Sequence, residues 1–158
     1  MLIKLVKNDY SIVFPQANDI YKVIKFVDER TYNYYSNTLR IEKLEFVPRQ
    51  MDYYKNAAIY LGLFESDSPS SLAMHLFKLD KDQLFINLVQ LILQHEVFYS
   101  FFINRDKTQT KDYLISYYKM NEVTANRRAS TVANWIKWCD AIIKENHIKV
   151  EVFEDGHR

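Results

Sequence analysis

The stretch from Glu122 to Trp138 holds the side chains of this chain best suited to recognising another molecule. Polar side chains with short or forked ends recur through it at helical spacing: Thr124, Asn126, Arg127, Ser130, Thr131 and Asn134. Arg, Asn, Ser and Thr are residue types that hydrogen-bond to phosphates and to base edges in a DNA groove. The pattern therefore predicts a recognition helix for duplex DNA, and an ordinary solvated helix face is the alternative.

Apolar residues recur through the same stretch and predict a buried stripe on the opposite side of that helix: Val123, Ala129, Val132, Ile136 and Cys139. Arg127 and Arg128 are adjacent, so on a helix they point about 100° apart and serve different roles. We expect one guanidinium at a guanine edge or a phosphate. The other then flanks the groove or pairs with an acid of a neighbouring helix.

Charge is unevenly distributed along the chain. The whole chain carries a formal net charge of +1, yet from Arg105 to Trp138 seven basic side chains stand against three acidic ones, a net charge of +4. The rest of the chain is therefore net acidic. This distribution predicts a positive field around the proposed helix, which binding to phosphates requires.

The composition predicts a helical, intracellular protein. Two Gly and three Pro in 158 residues leave few helix breakers, and the single Cys139 cannot form an internal disulfide. No apolar run is long enough to span a bilayer, and residues 1–10 lack the apolar segment of a secretory signal. We therefore expect a cytoplasmic protein without membrane contact.

Catalytic and metal-binding motifs find no support in the sequence. The four histidines are scattered, and His95 with Glu96 lacks the second histidine, four residues on, that a zinc helix needs. Gly62 and Gly156 alone cannot form a glycine-rich phosphate loop. We expect no catalytic residue, metal or cofactor in this chain.

The first half of the chain is organised as helices followed by a hairpin. Residues 1–15 predict two short strands, and Asn18 caps a helix that ends near Thr31. The aromatic tract with Tyr32, Tyr34 and Tyr35 either stacks on unpaired bases or packs a small lobe. A short second helix capped by Thr38, a third from Pro48 to Gly62 and a hairpin complete this half. The hairpin has turn formers from Ser66 to Ser71 and a second apolar run from Leu72 to Leu79. Three helices and a hairpin are the order of a winged helix.

The second half starts with one long helix, predicted from Asp80 to Asn104. A helix capped by Thr110, a turn at Met120 and Asn121, the recognition helix and a strand from Ile148 to Phe153 complete it. Placing Val47 on Val123 aligns two helices that are each polar first and apolar second, which indicates a duplicated unit. The predicted fold is mainly α with small β-hairpins (α+β). Two winged-helix-like lobes, 1–79 and 105–158, are joined by the helix 80–104.

The segments RQMDYYKNAAIYLGLF and TANRRASTVANWIKW resemble the paired signatures of tandem winged-helix modules in bacterial restriction and phage-defence proteins. The resemblance runs from about Ile20 to the end of the chain. It implies a target-recognition module that reads double-stranded DNA beside a separate nuclease, through these residues in the two lobes: Arg49, Gln50, Tyr53 and Asn56, then Thr124, Asn126, Arg127, Arg128 and Thr131. Ser130 joins the candidate DNA-binding residues because it lies on the polar face of the same helix. The chain departs from a full restriction enzyme because it has no nuclease domain.

Two further functions stay open at this point. A protein-interaction adaptor would use the helix 80–104 as its working surface, and a transcriptional regulator without catalytic activity belongs to the same alternative. A nuclease with an unfamiliar site is the third possibility. A nuclease or methyltransferase partner is expected if the chain is the recognition part of a restriction endonuclease.

Overall fold

The structure, a computed structural model, describes residues 1–35 and 48–153, with side chains over 1–31 and 49–153. The elements in these ranges are β1 (Leu2–Ile3), α1 (Ile20–Tyr35), α2 (Pro48–Tyr60), β2 (Phe64–Glu65), β3 (Ser68–Pro69), α3 (Ser71–Leu76), α4 (Lys81–Leu93), α5 (Glu96–Asn104), α6 (Lys107–Tyr118), α7 (Glu122–Glu145) and β4 (Glu151–Val152). The protein is mainly α with small β elements, as predicted. The expected helix after Thr38 lies outside the described residues, as do the side chains of the tyrosine tract.

The chain forms two compact units, and the division between them falls inside α4. Unit 1 comprises Met1–Tyr10 and Phe85–Arg158, and unit 2 comprises Ser11–Leu84. This differs from the predicted division at 79 and 104. The helix 80–104 is not a separate connector, because most of it belongs to unit 1 together with the amino-terminal strand.

Unit 2 packs α1 against α2 and closes with a short hairpin. Its core includes Val23 and Ile24 of α1 and Ala57 and Ala58 of α2, all fully or nearly fully buried. Gly62 ends α2 with φ +75°, while the Leu63 N–H donates to the Ala58 carbonyl at 2.8 Å. A left-handed glycine followed by a hydrogen bond from residue i to residue i−5 is a common way to end a helix.

The predicted hairpin exists, but it is shorter than expected. β2 and β3 pair antiparallel with Phe64 opposite Pro69, and the apolar run that we predicted as its second arm is helix α3 instead. The reason lies in Ser70, whose side chain accepts from the Ala73 N–H at 3.2 Å. One of the predicted turn formers therefore starts a helix.

The expected helix from Asp80 to Asn104 is two helices, α4 and α5, bent by 96° at Gln94 and His95. The freed Gln94 carbonyl accepts from the Val6 N–H at 2.9 Å. The bend lets both helices contact α7: Phe85 packs on Trp138 with ring centroids 5.4 Å apart, and Phe98 stacks on Trp135 at 5.1 Å. A straight helix would carry one of these aromatic side chains away from α7.

Helix α6 starts earlier than its predicted cap. Asp106 begins the helix, and its side chain accepts from the Gln109 N–H at 3.1 Å. Thr110, the predicted cap, lies in the second turn, where it is buried and its hydroxyl donates to the Asp106 carbonyl at 3.1 Å. Both residues are good caps in isolation, and the more amino-terminal one takes the role because the backbone is already helical at Thr110.

Within the described residues, no single helix combines the length and apolar composition needed to cross a bilayer. α4 and α5 meet both criteria only when taken together across their bend.

The amino-terminal strand pairs with the last strand rather than with a neighbour in sequence. β1 and β4 are parallel, with Leu2 opposite Glu151 and Ile3 opposite Val152. The prediction of a second strand before residue 15 is wrong, because the structure has a turn, a bend and irregular backbone there. Ile3 is fully buried in unit 1, which explains its place in an apolar–polar alternation.

Candidate nucleic-acid interface

Helices α6 and α7 are joined by the three residues Lys119, Met120 and Asn121. Lys119 ends α6 in the left-handed conformation, with φ 57° and ψ 30°. The Asn121 side chain begins α7 by accepting from the Thr124 N–H at 2.8 Å. A helix pair with a turn of three or four residues is the spacing of a helix-turn-helix motif, whose second helix enters the major groove.

The buried side of α7 holds this helix in unit 1. It consists of Ala125, Ala129, Thr131, Val132, Trp135, Ile136, Cys139 and Ile142. The predicted stripe is correct except at Val123, which is 63% exposed. Val123 and Val132 are nine residues apart, so they lie about 180° apart around the helix, and Val123 points away from the buried side.

The opposite side of α7 presents exposed polar and basic groups. Asn126, Arg127, Asn134 and Lys137 are all exposed, and we call these four residues the outer face of α7. Asp140 is the single acidic residue between Val123 and Lys144. Its two carboxylate oxygens accept from the Arg105 guanidinium at 2.6 and 2.8 Å, so its charge is balanced at the edge of this face.

Thr131 is a correction to the predicted DNA-contacting set. Its side chain is 0% exposed, and its hydroxyl donates to the Arg127 carbonyl at 3.3 Å. The polar hydroxyl sits on the buried side because the helix backbone accepts its hydrogen bond. Thr131 is therefore a core residue and leaves the candidate interface.

Three further predicted residues of α7 are half-buried. Ser130 donates its hydroxyl to the Asn126 carbonyl at 3.3 Å, and the backbone N–H of Thr124 is bound by the helix cap. The Nε and Nη1 atoms of Arg128 are shielded from solvent. Of the adjacent arginines, Arg127 is thus the exposed one, and Arg128 is held against the protein.

Fewer basic side chains around α7 lack an ion pair than the sequence alone indicates. Arg105 pairs with Asp140, and Lys111 pairs with Glu122 at 3.4 Å, so two of the seven basic side chains are balanced locally. Of these seven residues, four are exposed and have no ion pair within the part of the chain that the structure describes: Lys107, Lys119, Arg127 and Lys137.

The first-lobe candidates lie on α2 in unit 2. Arg49, Gln50 and Tyr53 are exposed, and Asn56 is half-buried. Gln50 is engaged within its own helix, since its Oε1 accepts from the Tyr54 hydroxyl at 3.5 Å. Arg49, Tyr53 and Asn56 are spaced by four and three residues, so the structure brings them to one side of α2.

Both helices of the predicted α2–α7 echo exist, and each is followed by a short strand, while the duplication itself stays a prediction. α2 is 13 residues long and leads into the hairpin, whereas α7 is 24 residues long and leads to β4. Asn134 was already among the polar side chains of the stretch, but Lys119 and Lys137 were not among the candidate interface residues. A signal was available: Lys137 lies three and ten residues from Asn134 and Arg127, spacings that return to one helix face.

Comparison with known proteins gives a family but no relative of described function. No curated protein and no solved structure matches this chain. One family model matches residues 2–144, described as a domain of unknown function (DUF7226). Because the match covers most of both units, the chain belongs to the DUF7226 family.

Proposed function

We propose that the protein is a double-stranded DNA-binding module that reads the major groove with the outer face of α7. The observation that carries this proposal is the exposed row of Asn126, Arg127, Asn134 and Lys137 on α7, the second of two helices joined by a three-residue turn. Guanidinium, ammonium and amide groups supply the donors for phosphates and base edges.

The length of α7 gives different roles to the two basic groups of its outer face, Arg127 and Lys137. Arg127 lies in the second turn, close to the end that a recognition helix points into the groove. Lys137 is ten residues further on, about 15 Å along the axis. The major groove is about 12 Å wide, so Arg127 contacts a base edge while Lys137 contacts the phosphate backbone.

The biological setting is part of the same proposal. The resemblance to tandem winged-helix modules supports a recognition role in a restriction or phage-defence system, in the cytoplasm and beside a nuclease or methyltransferase. Arg49, Tyr53 and Asn56 on α2 are the second set of candidate contacts.

Fluorescence anisotropy with labelled duplexes tests the α7 contacts. We expect Lys137→Ala to weaken binding to every duplex equally and to lower the slope of log affinity against log salt by about 1. Arg127→Ala should weaken binding and also reduce discrimination between duplexes, because a lost base contact is worth about 1–3 kcal/mol.

A matched control is Lys7→Ala with Lys149→Ala, which removes two exposed basic groups of unit 1 that lie outside α7. The control variant should bind duplex DNA more tightly than the variant with Arg127→Ala and Lys137→Ala. If the α7 double variant and the unaltered protein bind every duplex of a random panel with equal affinity, α7 does not contact the DNA.

A further inference from the structure

A small cavity lies between α5 and α6 in unit 1. Its volume is about 170 Å³, close to that of an engineered cavity of about 150 Å³ that binds benzene. The residues that line it are Glu96, Val97, Ser100, Gln109, Thr110 and Tyr113. A cavity of this size suits one small organic molecule.

Glu96 supplies the formal charge of the cavity. Its Oε2 accepts from the Asn8 side-chain amide at 2.7 Å, which fixes the carboxylate at the start of α5. Over the described ranges 1–35 and 48–153, no basic side chain pairs with Glu96. The carboxylate therefore has hydrogen-bonding and electrostatic capacity that the protein itself does not use.

Tyr113 provides an aromatic wall beside this carboxylate. Its hydroxyl lies 3.0 Å from the Tyr10 hydroxyl, and its ring packs on Tyr117 with centroids 4.7 Å apart. Burial, the Tyr10 contact and the Glu96 charge raise the pKa of the Tyr113 phenol, so it stays neutral at physiological pH. The face of a neutral phenol ring attracts cations.

The remaining lining groups complete an amphipathic site. Val97 is buried and gives an apolar surface. The Gln109 Oε1 accepts from the Asn104 side-chain amide, which fixes the orientation of Gln109. Ser100 adds a hydroxyl, which also accepts from Asn104 at 3.3 Å.

We propose that this cavity binds a small organic cation, an ammonium or guanidinium on a short apolar body, with Glu96 as its counter-ion. The carboxylate meets the charge, and Val97 with the Tyr113 ring covers the apolar part. The ligand is a free small molecule, because the cavity has room for little more than the charged group and a short apolar part.

Heteronuclear NMR titration of the whole chain with benzylammonium tests this proposal. We expect shifts of amide signals in residues 96–113. Binding should be at least tenfold weaker in Glu96→Gln, which keeps an oxygen to accept from Asn8 and removes the charge. The matched control Asp112→Asn removes an exposed charge of α6 that does not line the cavity, and it should bind as the unaltered protein does.

Three comparisons decide the outcome. Benzyl alcohol, the uncharged analogue, should bind at least tenfold more weakly, and Ser100→Phe should abolish binding by filling the cavity. Equal binding by Glu96→Gln or by benzyl alcohol would overturn the counter-ion role. Absence of shifts in residues 96–113 would overturn the site, and tighter binding by acetyl-lysine amide would overturn the assignment to a free molecule.

Discussion

His95 makes the stability of unit 1 sensitive to mild acid. It stands at the bend between α4 and α5, where burial lowers the pKa of its imidazole from 6.5 to about 4. The unfolded chain protonates this group near pH 6.5, whereas the folded chain does so only near pH 4. Between these values the unfolded state binds the extra proton, so the free energy of unfolding falls as the pH falls.

The magnitude comes from the lowered pKa. A difference of about 2.5 units at about 1.36 kcal/mol per unit gives a loss of up to about 3 kcal/mol between pH 6.5 and pH 4. His95→Gln removes the titrating group, so its stability should lack this part of the pH dependence. Acidic residues titrate in both proteins and cancel in the comparison.

Urea unfolding followed by tryptophan fluorescence measures the stability of unit 1, because both tryptophans, Trp135 and Trp138, belong to this unit. We expect the stability difference between the unaltered protein and His95→Gln to change by about 2–3 kcal/mol from pH 7 to pH 4.5. His147→Asn, at an exposed position, controls for the loss of an imidazole. A difference that stays constant with pH would refute the reasoning.

Substitutions at two more positions test the packing of α7 and its turn. Trp135→Ala removes a fully buried ring that stacks on Phe98, and we expect a loss of about 3–5 kcal/mol in the free energy of unfolding, measured by urea unfolding followed by circular dichroism. Lys119 has a left-handed backbone conformation, which glycine adopts without strain. Lys119→Gly should therefore raise the midpoint of thermal unfolding by an amount equivalent to about 1 kcal/mol in the free energy of unfolding. Lys119→Val should lower the midpoint. An unchanged midpoint in both Lys119 variants would contradict the strain at this turn.

Local sequence signals predicted much of α7. The turn expected at Met120 and Asn121 is where the helix begins, and the buried residues from Ala129 to Cys139 have the helical period. These features depend on neighbours within a turn or two, so a single sequence contains them.

The features that escaped prediction depend on distant parts of the chain. The bend at His95 forms where Val6, nearly ninety residues earlier in sequence, binds the freed Gln94 carbonyl. Thr131 has the polarity of a groove contact, but packing turns it inward and the backbone accepts its hydroxyl. Composition alone cannot distinguish such a residue from its exposed neighbour Asn134.

The pairing of Ile3 with Val152 gives the order in which the two units can be completed during synthesis. Unit 2 is continuous in sequence from Ser11 to Leu84, so all of its residues have left the ribosome while much of α7 is still to be made. In unit 1, β1 can pair with β4 only after residues 151–152 have been synthesised. During that interval Ile3 lacks its partner strand, and a nascent chain stalled before Glu151 would offer chaperones an apolar, unpaired amino terminus.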